Sequence, residues 1–499
     1  MRRILVAVMM MMGLLASAQS TSYIVSDFAE EDLPAMLELC EKAAVGQLLQ
    51  RNAFATLGHY EWNPVFAPKG DESVERMVNV SRSHGVQLGV FTYQDAISLN
   101  DRYFSPPYYP YLLRQGQVTL FDDILAEQRD FALRASEALE VPSTLNLLLV
   151  DDEMISYSTM EPVRELLLLH RCERGAYGTK PTNHAFTAEA YKIWDSPQRF
   201  VAPDEYLQDS VRQHLTDRIT ASGMPFVMYG GSPGQTVLEE SVRVRQVERW
   251  EQDEALIKEN GLGWFVIRPA DKKRACTTPE EVEWMLSKVA GYHTGCGWVI
   301  EKNALLDYGG LEAVVEKMGQ WERLRRFGVC TETQTRLLRD PYLDWHLEPV
   351  DDTTFQLYPL HFSRRHRCTF LETDTGLFTS EPMEWRTEQE GPLGLRIQVD
   401  GQRAITNPMI LTELGSILFP CVILPGQRLV FDFEGAAKIV DANYHTLVEV
   451  VPVGQPILPE GPSMVSLSME MEAEGPQPVV SVRYLTRETP ETISLHYPH

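Results

Sequence analysis

The stretch ESVERMVNVSRSHGVQLGVFTYQD, from Glu72 to Asp95, carries the reading that decides the fold. Its first half places Val74, Met77, Val78 and Val80 near helical spacing with charged residues between them, which predicts an amphipathic helix over Glu72–His84. Gly85 ends that helix, and Val86–Tyr93 follows as a run too apolar to have a solvated face. A strand buried on both faces does not alternate, so a helix running into such a strand is part of a parallel, helix-covered sheet.

The same rhythm extends in both directions. Upstream, Ser22–Phe28 reads as a strand, Asp32–Ala44 as a helix and Gly46–Trp62 as an apolar, extended segment. Downstream, strands are expected at Pro225–Tyr229, Gly263–Ile267 and Gly297–Ile300, with helices over Val237–Glu259, Pro279–Gly291 and Leu311–Phe327. Over residues 19–335 the commonest closed form of this pattern is a (β/α)8-type barrel. Residues 118–193 break the rhythm with a β-rich insertion, and beyond 336 the strand signals Gln356–Leu360, Leu395–Val399, Leu429–Phe433, Thr446–Val451 and Val479–Tyr484 predict a C-terminal β-sandwich.

The N-terminus reads as a secretory signal. Arg2 and Arg3 precede an apolar run from Ile4 to Leu15, and Ala16-Ser17-Ala18 supplies a small-x-small cleavage site. About 12 apolar residues are too few to span a bilayer, so the expectation is cleavage after Ala18 and a periplasmic or extracellular protein with no integral membrane segment. A formal charge of −25 speaks against nucleic acid as a partner, since a polyanion is repelled in the absence of a basic patch. Arg364-Arg365-His366-Arg367 is short and reads as a solvated strand edge. The seven cysteines show no C-x-x-C pair; Cys276 with Cys296 is the disulfide to test first.

In a parallel barrel, chemistry gathers at the C-terminal ends of the strands. Three carboxylates stand there by this reading: Glu61, beside His59, Tyr60, Trp62 and Asn63; Asp95, after Thr92-Tyr93-Gln94; and Glu301, after the last strand. Cleaving a glycosidic bond takes two carboxyl groups flanking it, one protonated and one ionised. Each carboxylate taken alone is more often a loop cap or ion-pair partner than a catalytic group. His59, Trp62, Asn63, Tyr93, Asn100, Asp101 and Tyr229 are the expected substrate-binding residues around them. The aromatic run Tyr103–Tyr111 reads either as a stacking platform for sugar rings or as a loop packed on the insertion. Trp264 and Trp298 read as core.

Gly230-Gly231-Ser232-Pro233-Gly234 matches G-x-S-x-G between a strand and a helix, but Pro233 has no N–H to give an oxyanion hole, so a Ser232 esterase is a weak alternative. No zinc-protease spacing, Walker loop or dinucleotide-binding glycine motif is present, and neither metal nor cofactor is expected.

Residues 150–184 resemble a small β-module of phage-tail and other extracellular proteins. The resemblance rests on Asp151-Asp152-Glu153, Tyr157, Arg174-Gly175-Ala176-Tyr177-Gly178-Thr179 and His184, and implies that Glu153 is structural rather than catalytic. More broadly, Gly58-His59-Tyr60-Glu61-Trp62-Asn63-Pro64, Gly85–Val90, Asn100-Asp101-Arg102-Tyr103, Leu262-Gly263-Trp264-Phe265, Glu281–Leu286, Ala290-Gly291-Tyr292 and Trp321-Glu322 resemble secreted bacterial glycoside-hydrolase-like barrel proteins of polysaccharide-utilisation systems. The resemblance implies a carbohydrate substrate. Two departures matter: that pattern carries His where Phe91 stands, and Phe-Asp-Gly followed by Glu where Tyr229-Gly230-Gly231 stands. A glycosidase and a non-catalytic glycan-binding protein on the same fold therefore both remain open.

Overall fold

The computed structural model describes residues 21–106, 109–134, 144–229, 240–252, 254–328, 330–433, 435–454, 457–471 and 476–495. The signal segment and the Gly230–Gly234 motif lie outside them. The chain forms two compact units, one made of Met1–Ser26, Pro34–Leu48 and Ser232–His499, the other of Asp27–Leu33 and Leu49–Gly231.

In the first unit, Tyr23–Ser26 and Trp264–Ile267 both pair in parallel with Gly297–Ile300. All but one of their twelve residues are buried, which is why these strands read as unbroken apolar runs. Trp264 and Trp298 are core residues, 6% and 1% exposed. Helix Pro279–Gly291 starts where its sequence says it should: Pro279 opens it and Thr278 caps it. The Thr278 side chain accepts from the Glu281 N–H while the Glu281 carboxylate accepts from the Thr278 N–H. Cys276 and Cys296 are free, buried thiols, so the disulfide singled out from sequence is absent.

From Asp344 onward the paired strands of this unit are antiparallel. One sheet contains Thr354–Phe362, Val479–Arg487, Gly391–Asp400 and Arg428–Phe431; a second contains Phe378–Ser380, Gly461–Glu470, Ile405–Thr412 and Gly415–Leu418. Leu393, Leu395, Ile397 and Val399 are fully buried at every second position. With Leu429 and Val482 they meet Ile405, Ile410, Ile417 and Leu467 of the other sheet in one core. Two sheets closing their inner faces in this way pack as a sandwich.

In the second unit, Gln87–Thr92 and Phe226–Tyr229 run parallel. Gly89 lets them approach, because a Cβ there would lie 2.5 Å from the Phe226 ring. Helix Asp71–Ser83 leads into Gln87–Thr92. Among the described residues, six strands carry the βα alternation where eight were expected. Between residues 95 and 207 the chain turns to antiparallel strands instead of continuing the alternation.

Besides the short pair Ile97–Ser98 with Phe200–Val201, those strands form two small sheets, Phe131–Arg134 with Leu166–His170 and Thr159–Val163, and Arg114–Thr119 with Glu189–Ile193, Leu147–Val150 and Glu153–Ser156. Val118, Leu133, Leu148, Ile155 and Leu169 close their common core. Glu153 lies at its edge, fully buried, and its carboxylate accepts from Arg174 through two nitrogens (2.8 and 2.9 Å), from the Gly175 and Thr182 N–H groups, and pairs with His184 at 2.8 Å. Burial pushes this carboxyl upward, but the Arg174 and backbone donors outweigh it and hold it below its ordinary range. No helix among the described residues is long and apolar enough to cross a membrane.

Candidate functional site

The loop after strand Gln47–Gln50 begins the site. Extended structure stops at Gln50, so Glu61 stands in a loop eleven residues beyond the strand rather than at its end. A lone bridge between Phe54 and Trp62 closes the loop on itself. Gly58, at φ +114°, brings the loop against Asp101: a Cβ there would sit 2.7 Å from the Asp101 Oδ1. Asp101 is 2% exposed and organises what surrounds it. Its carboxylate accepts from the His59 N–H (2.9 Å) and the Tyr103 N–H (2.9 Å), the latter capping the short turn Arg102–Phe104, and pairs with His59 Nδ1 at 2.8 Å.

The His59 ring stacks on Tyr103 at 4.1 Å and lies 4.7 Å from His214, whose Nε2 is 2.9 Å from the Tyr103 hydroxyl. Burial and the neighbouring His59 hold His214 below its ordinary pKa. Tyr60 is fully buried; its hydroxyl lies 2.7 Å from the carbonyls of both Tyr93 and Gln94 and donates between them. Burial, and then the charge of Asp95, raise its pKa.

Asp95 follows strand Gln87–Thr92 and is one-third exposed. Arg212 holds it through two parallel hydrogen bonds, Nε to Oδ1 and Nη2 to Oδ2, each 2.7 Å. Glu61 is more open, with a side chain 55% exposed and Arg102 at 3.8 Å. These two carboxylates, with His59, Tyr93 and Asp101, belong to the second unit. Glu301 directly follows strand Gly297–Ile300, where it precedes helix Lys302–Asp307 without capping it through its side chain, and it belongs to the first unit.

Several expected binding residues hold the loops together. Trp62 is 8% exposed, stacks on Phe54 at 4.9 Å and donates from Nε1 to Asp71 at 2.6 Å. Asn63 accepts from the Val65 N–H and donates to the Asn52 carbonyl; Asn100 accepts from the Ser98 hydroxyl and donates to the Ala55 carbonyl. Tyr93 packs on Phe200 at 4.7 Å, and Tyr229, the last residue of its strand, is 46% exposed. Of the aromatic run, Tyr103 and Phe104 are buried and Tyr109 donates to the Asp152 carbonyl, so this part packs on the β-rich insertion.

Arg212, His214 and Arg218 were not anticipated. All three lie on helix Gln208–Ser222, and Arg218 donates from Nε to the Tyr60 carbonyl (3.2 Å) and from Nη1 to Asp71 (3.2 Å). The one signal for this helix was the narrow stripe Val211, Leu215 and Ile219, all buried. Among the described residues no group of three or more His, Cys, Asp or Glu side chains could hold a metal ion.

No protein-family model matches the chain, and no curated protein matches it. Among solved structures, an α-amylase from Geobacillus thermoleovorans is similar at 9% identity over 91% of this chain and 99% of its own, with a TM-score of 0.30. An α-galactosidase from Lactobacillus brevis is similar at 10% identity over 96% of this chain and 56% of its own, with a TM-score of 0.32. A maltogenic α-amylase from Thermotoga neapolitana follows at 8% identity over 92% of this chain and 98% of its own, with a TM-score of 0.29.

Proposed function

We propose that the chain is an exported protein of glycoside-hydrolase type, built on a (β/α)8-type barrel and acting on a polysaccharide or its oligosaccharides. The observation that carries this reading is the pair Glu61 and Asp95: two solvent-accessible carboxylates in loops that follow successive strands of the βα pattern, beside Tyr93 and the His59–Tyr103–His214 cluster. Glycoside hydrolysis needs one carboxyl group to protonate the leaving oxygen and one carboxylate to act as nucleophile or base. Asp95, gripped at both oxygens by Arg212, is arranged for the anionic part. Glu61, without such a clamp, is the proton donor in this proposal.

The test is a panel of plant, algal and host glycans with product detection by chromatography. Cleavage of one class, reduced about a hundredfold or more in Glu61→Gln and Asp95→Asn, is the expected result. Full activity in both variants would remove the assignment. A second reading, a protein that holds glycans without cutting them, is favoured by the same Arg212 clamp, since it engages both Asp95 oxygens. Oligosaccharide binding in calorimetry with no product after prolonged incubation would select it.

A further inference from the structure

Two tyrosines of the second unit stand open to solvent outside the loops that hold Glu61 and Asp95. Tyr206 is 76% exposed and Tyr111 45% exposed, and their ring centroids lie 6.4 Å apart at an angle of 62°. Apolar side chains scattered singly over a surface need no explanation, but two rings meeting in an open corner do. Among the described residues neither hydroxyl has a hydrogen-bond partner, so the polar rims are available along with the faces. Tyr111 ends the aromatic run whose earlier residues, Tyr103, Phe104 and Tyr109, pack inward.

The backbone beneath the two rings is braced. The Asp204 N–H donates to the Tyr111 carbonyl at 2.8 Å, and the Asp204 carboxylate accepts from the Tyr206 and Leu207 N–H groups at 3.0 and 3.1 Å. Arg114, lying 4.7 Å over the Tyr191 ring, donates to the Pro110 carbonyl at 3.1 Å and ties down the turn Tyr109–Tyr111. Aromatic rings on a fixed support lose little freedom when a ligand settles on them. Their place in the chain connects them to the carboxylates. Tyr206 follows Phe200, which packs on Tyr93 at 4.7 Å, by six residues, and precedes by six Arg212, which holds Asp95. The charge nearby is acidic: Asp204 caps the segment, and Glu205 and Asp209 on either side of Tyr206 are exposed. In a chain of net charge −25 these groups repel a polyanion and leave an uncharged sugar unaffected.

We propose that Tyr111 and Tyr206 form an outlying platform for uncharged sugar units of the glycan that enters the Glu61–Asp95 loops, so that the ligand is a neutral polymer rather than a uronate or a sulfated chain. The inference rests on the reading of this protein as one that takes a glycan, and it adds the charge class of that glycan and a second place where it is held. The ring faces stack on the apolar faces of sugar rings, and the two hydroxyls bond to sugar hydroxyls at their edges.

Affinity electrophoresis of the full chain tests this, in native gels cast with soluble starch, galactomannan, xyloglucan or laminarin as neutral polymers and with polygalacturonate or carrageenan as anionic ones. Retardation by at least one neutral polymer, and by neither anionic one to the same degree, is expected. Tyr206→Ala and Tyr111→Ala are each expected to raise the apparent Kd about fivefold to twentyfold. The unfolding temperature of Tyr206→Ala should not change, since the side chain is exposed, and Tyr206→Phe, which keeps the ring, should bind much more tightly than Tyr206→Ala. Retardation lost in both alanine variants of a protein that releases no product supports the platform and removes the hydrolase. Product release with retardation unchanged in both variants keeps the hydrolase and overturns the platform. No retardation by any neutral polymer, or equal retardation by an anionic one, also overturns it. Self-association of the parent that Tyr206→Ala abolishes would assign the two rings to a contact between copies and overturn it as well.

Discussion

Single residues carry two structural commitments. Glu153 is fully buried with Arg174, whose side chain is 5% exposed, so removing the carboxylate strands a cation out of reach of water. Glu153→Ala is expected to destabilise the protein by about 3–5 kcal/mol in urea unfolding, because the loss of one partner leaves the other uncompensated. The sequence resemblance had assigned this acid a structural part, and the contacts of its carboxylate explain why the motif spans Glu153, Arg174, Gly175 and His184. Gly58 is the second commitment. Its φ of +114° and the 2.7 Å approach of any added Cβ to Asp101 leave no room for a side chain. Gly58→Ala is expected to cost about 1–3 kcal/mol and to displace His59 from Asp101, visible as a changed His59 imidazole resonance in NMR. Nothing in the order of residues near Gly58 announces this contact, since Asp101 is 43 positions away.

Elements were legible in proportion to how locally they are encoded. Helix Pro279–Gly291 and strand Gly297–Ile300 begin and end where the sequence predicts, because capping, a first-turn proline and apolar runs are properties of neighbouring residues. Thr278→Ala removes one half of a reciprocal cap and is expected to lower stability by about 1 kcal/mol, measured as a shift in the denaturation midpoint without a change in slope. Helix Gln208–Ser222 went unread because only four of its residues are buried and its remaining face is polar. That omission had a cost for the site, as this helix supplies Arg212, His214 and Arg218. The extended segment predicted to reach Trp62 stops at Gln50 for a related reason: Phe54 meets Tyr60 edge to face and stacks on Trp62 within a loop rather than along a strand.

At the scale of the molecule, buried charges of the first unit make stability depend on pH. Glu283 accepts from Trp321 Nε1 and the Leu347 N–H and pairs with His346 Nδ1 at 2.7 Å. Burial opposes protonation of His346, but the Glu283 carboxylate outweighs it and lifts the imidazole to about 9. The stabilisation is therefore complete below the unfolded histidine value of about 6.5 and is lost as pH rises through about 9. Glu283 is correspondingly held below its ordinary range, against its own burial, so its contribution is present above that range and lost in acid. Lys288 works the other way: burial drives its ammonium down to about 7, and stability linked to it grows as pH rises from about 7 toward its ordinary 10.5. The expected outcome is that His346→Gln destabilises at pH 6 and that its deficit against the parent shrinks between pH 7 and 10, in paired thermal melts. A deficit independent of pH would show that the pair is not charged.

From the sequence alone came the alternation of helices and apolar strands, the antiparallel character of the C-terminal part, and the placement of Trp264 and Trp298 in the core. These follow from periodicity, which is a relation between near neighbours. Tertiary structure alone decided that Cys276 and Cys296 stay apart as thiols, that Asp95 is held by Arg212 from a helix more than a hundred positions on, and that Trp62 is a strut. Each of these depends on which distant side chains are brought within a few ångströms, and that distance is set by how the elements pack, a quantity that no local pattern contains.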